Sequence, residues 1–216
     1  MISREEMKEV GPPSSYHAIR AQATKDSNLT VRSPEDGVNI WSHKDVVSYY
    51  NDRAMTTNPE SRIAVFLPCA GPKPYCISVS HKTYLYALRD WLDHMDIYVL
   101  SEPMTIVPYQ LSDEYPAANY DYNPKYETEA SKEIFVSRLS SWLTKFLPAY
   151  ERKVMIYRNS GAGTHYREIL ASSIDACKSP DKKFDEIVCN DYTDPEAARI
   201  RSEITKLGLQ PTRGTL

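Results

Sequence analysis

No stretch of this chain approaches the run of roughly 18 to 20 apolar residues that crosses a bilayer. Its first residues, MISREEMKEVGPPSS, lack the apolar core of a signal peptide. Both absences lead to the expectation of a cytoplasmic protein with no membrane partner. Cysteine is sparse, and Cys69, Cys76, Cys177 and Cys189 form neither a C-x-x-C pair nor a dense framework. That excludes the usual small disulfide scaffold and leaves reduced thiols. Charge of one sign is also missing, since 26 basic side chains face 29 acidic ones for a formal −3. With no global field drawing the chain onto phosphates, any nucleic-acid contact is local or lent by a partner protein. Phenylalanine occurs four times against sixteen tyrosines. Phenols line polar sites or stack on bases, and equally sit half-buried at a domain surface. The chain has no internal repeat and no low-complexity tract.

A length of 216 residues suits one substantial core. Residues 1–40 are polar and interrupted by Gly11-Pro12-Pro13 and Ser33-Pro34-Glu35-Asp36-Gly37, and read as an irregular arm with at most one short helix. Residues 41–216 read as a single α/β domain. Ser42 is a candidate cap for a helix to about Asn51, with Val46, Val47 and Tyr50 on one face. Arg62 to Leu67 is a short apolar run closed by Pro68, which suits a strand buried on both faces. Ser78 or Ser80 opens a helix in which Tyr84, Leu85, Leu88, Trp91 and Leu92 recur at helical spacing. The same grammar repeats: strands at 96–100, 153–157 and 184–189, helices at 129–146, about 166–176 and 194–206, the last begun by Pro195. Thr105 to Val107 extends or restarts the second strand before a long loop rich in Tyr, Pro and Asp. Strands alternating with helices imply a doubly wound, mainly parallel sheet with right-handed crossovers and helices on both faces.

Ligands in open α/β sheets sit beyond the carboxyl ends of the strands. Cys69 follows the first strand, Glu102 the second, the Ser160 to Thr164 loop the third, and Asn190-Asp191 the fourth. Pro68-Cys69, three residues, Lys73-Pro74-Tyr75, two residues, Ser78, two more, then His81 resembles the motif that marks archaeosine synthase, which acts on 7-cyano-7-deazaguanine in archaeal tRNA. The likeness continues at Ser101-Glu102-Pro103, Val107-Pro108, Tyr115-Pro116-Ala117 and Tyr120-Asp121. It covers roughly Arg62 to Pro124.

This resemblance implies a uracil-DNA glycosylase-like α/β fold, and a reaction in which the amine of free lysine, a co-substrate, adds to the nitrile of the modified base. It implies no other cofactor. Members of the family are longer and also carry a barrel remnant and a small RNA-binding domain, for which this chain has no room. A partner protein that delivers nucleic acid is therefore expected, and the substrate is a 7-deazaguanine in tRNA, in DNA or as a free base. The residues of the motif suit nitrile chemistry. A thiolate adds to a nitrile carbon to give a thioimidate, which an amine then resolves, and Cys69 is the candidate nucleophile. A free thiol titrates at about 8.5 and is lowered by a nearby lysine, histidinium or helix amino terminus, which brings in Lys73, His81 and the helix opened by Ser78. His81 is also a candidate proton donor to the nitrile nitrogen. Tyr75 is a candidate for stacking on the flat base, with Pro72 and Pro74 stiffening the loop.

Plainer readings stand beside these. A cysteine after a buried strand is often a small hydrophobe, His81 can bond within its own helix, and Lys73 can be solvated. Cys69, Cys76 and His81 match no common zinc spacing, so no metal is expected. Ser160, Gly161, Gly163, Thr164 and His165, with Arg158 and Arg167 nearby, can hold a phosphate or carboxylate at a helix start, or can form an ordinary turn capped by Thr164. Asp121, between Tyr120 and Tyr122, can accept hydrogen bonds from a guanine-like edge, or can serve a turn. Two further functions remain open: a module that binds the modified base while a partner subunit performs catalysis, and, by fold analogy alone, a glycosylase.

Overall fold

The computed structural model describes residues 1–15, 21–209 and 211. Five strands form one sheet in the order β3-β2-β1-β4-β5, with β1 Ile63–Pro68, β2 Met95–Ser101, β3 Thr105–Pro108, β4 Arg152–Arg158 and β5 Asp185–Cys189. Strand β1 runs parallel to both β2 and β4, and β4 parallel to β5. Four strands thus meet the expectation of parallel pairing. The exception is β3, which pairs antiparallel with β2, Ser101 facing Thr105. Its reason is chain length, because Glu102 to Met104 are too few residues for a parallel crossover.

The interior of β1 is buried from Ala64 to Pro68, as a two-sided strand requires. Helix α4 (Val79–Leu88) returns the chain to β2, α5 (Glu129–Phe146) carries it back past β1 to β4, and α6 (Ala162–Ala176) carries it on to β5. The winding direction reverses between β2 and β4, so right-handed crossovers place α4 on one face and α5 with α6 on the other. The packing agrees: α5 lies against α6, and α4 against α7 (Asp194–Lys206). Phe66, Tyr98, Trp142 and Phe146 interlock under α5, with the Tyr98 and Trp142 ring centroids 4.7 Å apart. No helix among the described residues is long and apolar enough to cross a membrane.

The described part of residues 1–40 holds two short helices, α1 (Arg4–Lys8), closed by a Ser3–Glu6 capping box, and α2 (Pro34–Asn39), capped by Ser33. Residues 16–20 of this arm lie outside the described residues. Ile2, Met7, Leu29, Val31 and Ile40 are buried in the common core. Helix α3 (Lys44–Asp52) starts one residue later than Ser42 suggested, with His43 as its cap, and buries Val46 and Tyr49 rather than Val47 and Tyr50.

Candidate active site

Pro68 ends β1 and Cys69 is the first residue beyond it, half-buried and free. Strand pairing sets Pro68 beside Leu100, so Ser101, the last residue of β2, arrives next to the sulfur. Ser101 Oγ lies 3.5 Å from Cys69 Sγ, the Tyr120 hydroxyl 3.3 Å and the Tyr75 hydroxyl 3.8 Å. The two phenol oxygens are 2.8 Å apart, and both contact Ser101. Burial pushes both phenols well above their ordinary pKa, and a negative sulfur beside them adds to the effect. At neutral pH they therefore keep their protons; the Tyr75 hydroxyl donates to Ser101 Oγ, and Ser101 Oγ donates to the sulfur. Lys73 is almost fully buried, its Nζ donating to Ala70 O at 3.0 Å, 3.8 Å from Cys69 Sγ and 4.1 Å from the Tyr120 ring centroid. A buried ammonium of this kind is held by carbonyl and π-face contacts rather than by a carboxylate.

Ser78 caps α4 by accepting from His81 N at 3.1 Å, so its hydroxyl serves the helix. His81 lies wholly buried in the first turn, with Nε2 2.8 Å from the Pro68 carbonyl oxygen. That carbonyl can only accept, which places the ring proton on Nε2. Burial drives the pKa of His81 down to about 3. The sequence suggested a charged histidine beside the thiol. The fold holds a neutral one that pins the end of β1 and stacks on Tyr75 at 4.9 Å and 17°. Positive charge comes from Lys73 instead. With His81 against its ring, Tyr75 is fully buried and presents its hydroxyl, not an open face for a base.

Glu102, buried directly after Ser101, receives His165 Nε2 at 2.6 Å and the Tyr166 hydroxyl. Glu127 stands 3.5 Å from the same His165 nitrogen. Burial opposes the charge on His165, yet the hydrogen bond and charge of Glu102, with Glu127, hold its pKa above the ordinary value. Burial, and then the charges of Cys69 and Glu102, raise the pKa of Tyr166. Glu102, Glu127 and His165 place one donor atom each within 4.8 Å of one another, the geometry of a divalent-cation site. An imidazolium between two carboxylates also balances the charge without an ion. Cys69, Cys76 and His81 make no such group.

The loop after β4 reaches this cluster through His165 and Tyr166. Its glycines have backbone reasons. Gly161 caps α6 at φ 54° and ψ −127°, a conformation that favours glycine. A Cβ on Gly163 would lie 2.0 Å from Arg158 O, so α6 could not close onto the end of β4 with any larger residue there. Thr164 lies inside the helix rather than at its cap, 3.5 Å from Asn159 Oδ1, and Ser160 is exposed. Arg167 is paired with Glu186 at 3.2 Å, away from the loop. Asn190 binds Glu196 of α7 through its backbone N–H at 2.9 Å. Asp121 is exposed, its backbone bridged to the arm by Asp121 N to Leu29 O and Val31 N to Asp121 O, each 2.9 Å.

Sequence reasoning missed Ser101, Glu127, Tyr166 and Lys25. Ser101 and Tyr166 each adjoin a residue that was singled out. Lys25 carries no local signal at all.

The fold and this cluster define an α/β domain with a cysteine-centred polar site at the carboxyl edge of its sheet. The family described as a domain of unknown function (DUF5591) matches residues 47–199, and the chain belongs to it as an archaeosine synthase-like member. It is similar to archaeosine synthase of Haloferax volcanii, 30% identical over 165 residues, covering 74% of this chain and 26% of that protein. It is similar also to archaeosine synthase subunit alpha of Methanosarcina acetivorans, 33% identical over 112 residues, covering 51% and 17%. Archaeosine synthase of Methanocaldococcus jannaschii is 30% identical over 125 residues, covering 57% and 21%. The matched part thus spans about a quarter or less of each of these relatives. No solved structure matches the chain.

Proposed function

We propose that this protein modifies the 7-substituent of a 7-deazaguanine, with Cys69 as the nucleophile toward a nitrile carbon. The observation that carries the reading is the half-exposed Cys69 sulfur at a strand end, 3.8 Å from the buried Lys73 ammonium and ringed by hydroxyl donors, with no carboxylate bonded to it. A cation and hydroxyl groups beside a partly open sulfur are the setting that nucleophilic cysteines use. The sulfur adds to the nitrile carbon, and the nitrogen takes a proton from the Lys73 ammonium, the cation beside the sulfur. A neutral amine then attacks the thioimidate carbon, the carbon–sulfur bond breaks, and an amidine leaves a thiolate behind. The acceptor proposed for the proton that the amine sheds is the Glu102–His165 pair, acting with His165 neutral. His81 and Ser78 act through the backbone by fixing the ends of β1 and α4.

Free lysine is the amine that the resemblance implies, and the relatives' name points to tRNA, with DNA and the free base as rivals. A uracil-DNA glycosylase-like architecture, a cytoplasmic setting, one domain over residues 41–216 and a partner that delivers nucleic acid belong to the same proposal. A binding module is the second reading. It is favoured by the way three hydroxyl groups already occupy the sulfur. Intact-mass measurement separates the two, after incubation with 7-cyano-7-deazaguanine as base, nucleoside and oligonucleotide, with and without lysine. A Cys69-dependent adduct or product supports the enzyme; binding without either leaves the module.

A further inference from the structure

Residues 23–26, outside the span that the family matches, tie themselves one after another to the two loops that surround Cys69. Ala23 N donates to Lys73 O at 3.0 Å, and Thr24 O accepts from Asn119 Nδ2 at 2.8 Å. Lys25 Nζ donates to Tyr120 O at 2.9 Å, and Asp26 N to Asn119 O at 2.8 Å. The segment is therefore a strap across the Lys73 loop and the Tyr120 loop. Both loops hold groups in contact with the sulfur, and the strap anchors Lys25 on the backbone of the loop that carries Tyr120.

We infer that Lys25 is a positioning residue for Cys69: the strap places its charge to hold the sulfur as a thiolate, jointly with Lys73. The electrostatics agree with the geometry. Burial lowers the pKa of Lys25 and the neighbouring Lys73 lowers it further, while Asp121 and Cys69 act in the opposite sense. The two cations disfavour each other, and an anionic neighbour shared by both offsets that repulsion. The titratable groups in contact with the sulfur are Lys73 and Tyr75 from its own loop and Tyr120 from the loop after β3, while Tyr166 from α6 and Lys25 from the strap feel its charge. Asp121 faces Lys25, and Glu102 faces Tyr166. Only the two lysines bring positive charge to the sulfur among these groups.

The inference rests on Cys69 being the reactive thiol, but its test needs no substrate. The rate at which iodoacetamide alkylates Cys69 is followed from pH 5 to 10 by peptide mass spectrometry, in the wild type, Lys25→Met, Lys25→Gln and Lys25→Arg. Removing one of two nearby cations moves the midpoint of reactivity up by about one pH unit, so alkylation at neutral pH falls about tenfold. Lys25→Gln keeps a donor for Tyr120 O and should behave as Lys25→Met does, which separates lost charge from a loosened strap. Lys25→Arg should restore the wild-type profile. An unmoved midpoint in both neutral variants, or a shift that arginine does not reverse, overturns the inference. A protein that passes this test yet turns over no 7-deazaguanine overturns the proposed function and leaves the role of Lys25 standing.

Discussion

At the amino end of β2, Asp96 accepts from Arg4 Nη2 at 2.9 Å, from Glu60 N and Ser61 N at 2.9 and 3.1 Å, and from the Tyr150 hydroxyl at 3.0 Å. At the carboxyl end of the neighbouring β1, Cys69 is ringed by hydroxyls and lysine but by no carboxylate. Both ends gather polar groups around one side chain. Asp96, 6% exposed, has its lone pairs filled and its charge balanced, so the group joins the arm to the sheet and offers nothing to a ligand. Cys69 stays partly open, and the cations beside it have no counter-charge within bonding distance among the described residues. Saturation marks a structural network. A surplus of donors around a partly open thiol is the arrangement on which the proposed nucleophile rests.

The largest effect is expected from Cys69→Ser. Turnover should fall by about three orders of magnitude or more, because a serine hydroxyl is almost never ionised near neutral pH. Thermal stability should barely change. Full activity in that variant would erase the distinction between the two ends. Asp96→Ala should do the reverse. Leaving Arg4, two backbone N–H groups and a phenol without their acceptor should cost about 3 to 5 kcal/mol, read as a fall in Tm of roughly 10 °C. The rate of Cys69 alkylation in the remaining folded protein should stay as it was, and a parallel loss would mean that the two ends are coupled. Gly163→Ala probes the join between β4 and α6. With Arg158 O only 2.0 Å from the added carbon, a loss of about 2 kcal/mol is expected in chemical denaturation. An unaffected midpoint would show that the loop yields freely, and would return this glycine to the ligand-binding candidates.

Smaller effects come from two histidines that titrate in opposite senses. Folded His81 has a pKa of about 3 against about 6.5 when unfolded, so its share of stability is full above about 6.5 and lost as pH falls. Between pH 6.5 and 5 the wild type should lose roughly 2 kcal/mol through this group. His81→Phe should abolish that part of the acid slope, and a variant with the wild-type slope would place the titration elsewhere. His165 is raised, so its contribution is full below about 6.5 and lost as pH rises through its folded value. His165→Gln should remove this contribution, visible on the acid side in the difference from wild type.

Local signals carried much of this molecule. The apolar run from Ile63 to Leu67, the cap at Ser78, Pro195 in the first turn of α7 and the helix from Glu129 to Phe146 stand where periodicity and capping put them. The position of Cys69 at a strand end followed from the same signals. The antiparallel β3 was legible only in part, since Thr105 to Val107 read either as an extension or as a restart.

The sequence by itself determined that strands alternate with helices, that a cysteine, a lysine and a histidine cluster in the turn after the first strand, and that the chain resembles the archaeosine synthases. These are properties of residues within a turn or two of each other, where spacing alone fixes which side chains share a face. Tertiary structure decided the rest. Tyr120 reaches the sulfur across 51 positions in sequence and Ser101 across 32, while Lys25 arrives from the opposite side of the motif. Burial likewise decided that His81 is neutral, and the fold set a buried lysine beside the sulfur. Protonation depends on the solvent and charge around a group, and those are set by segments distant in sequence that only the folded sheet brings together.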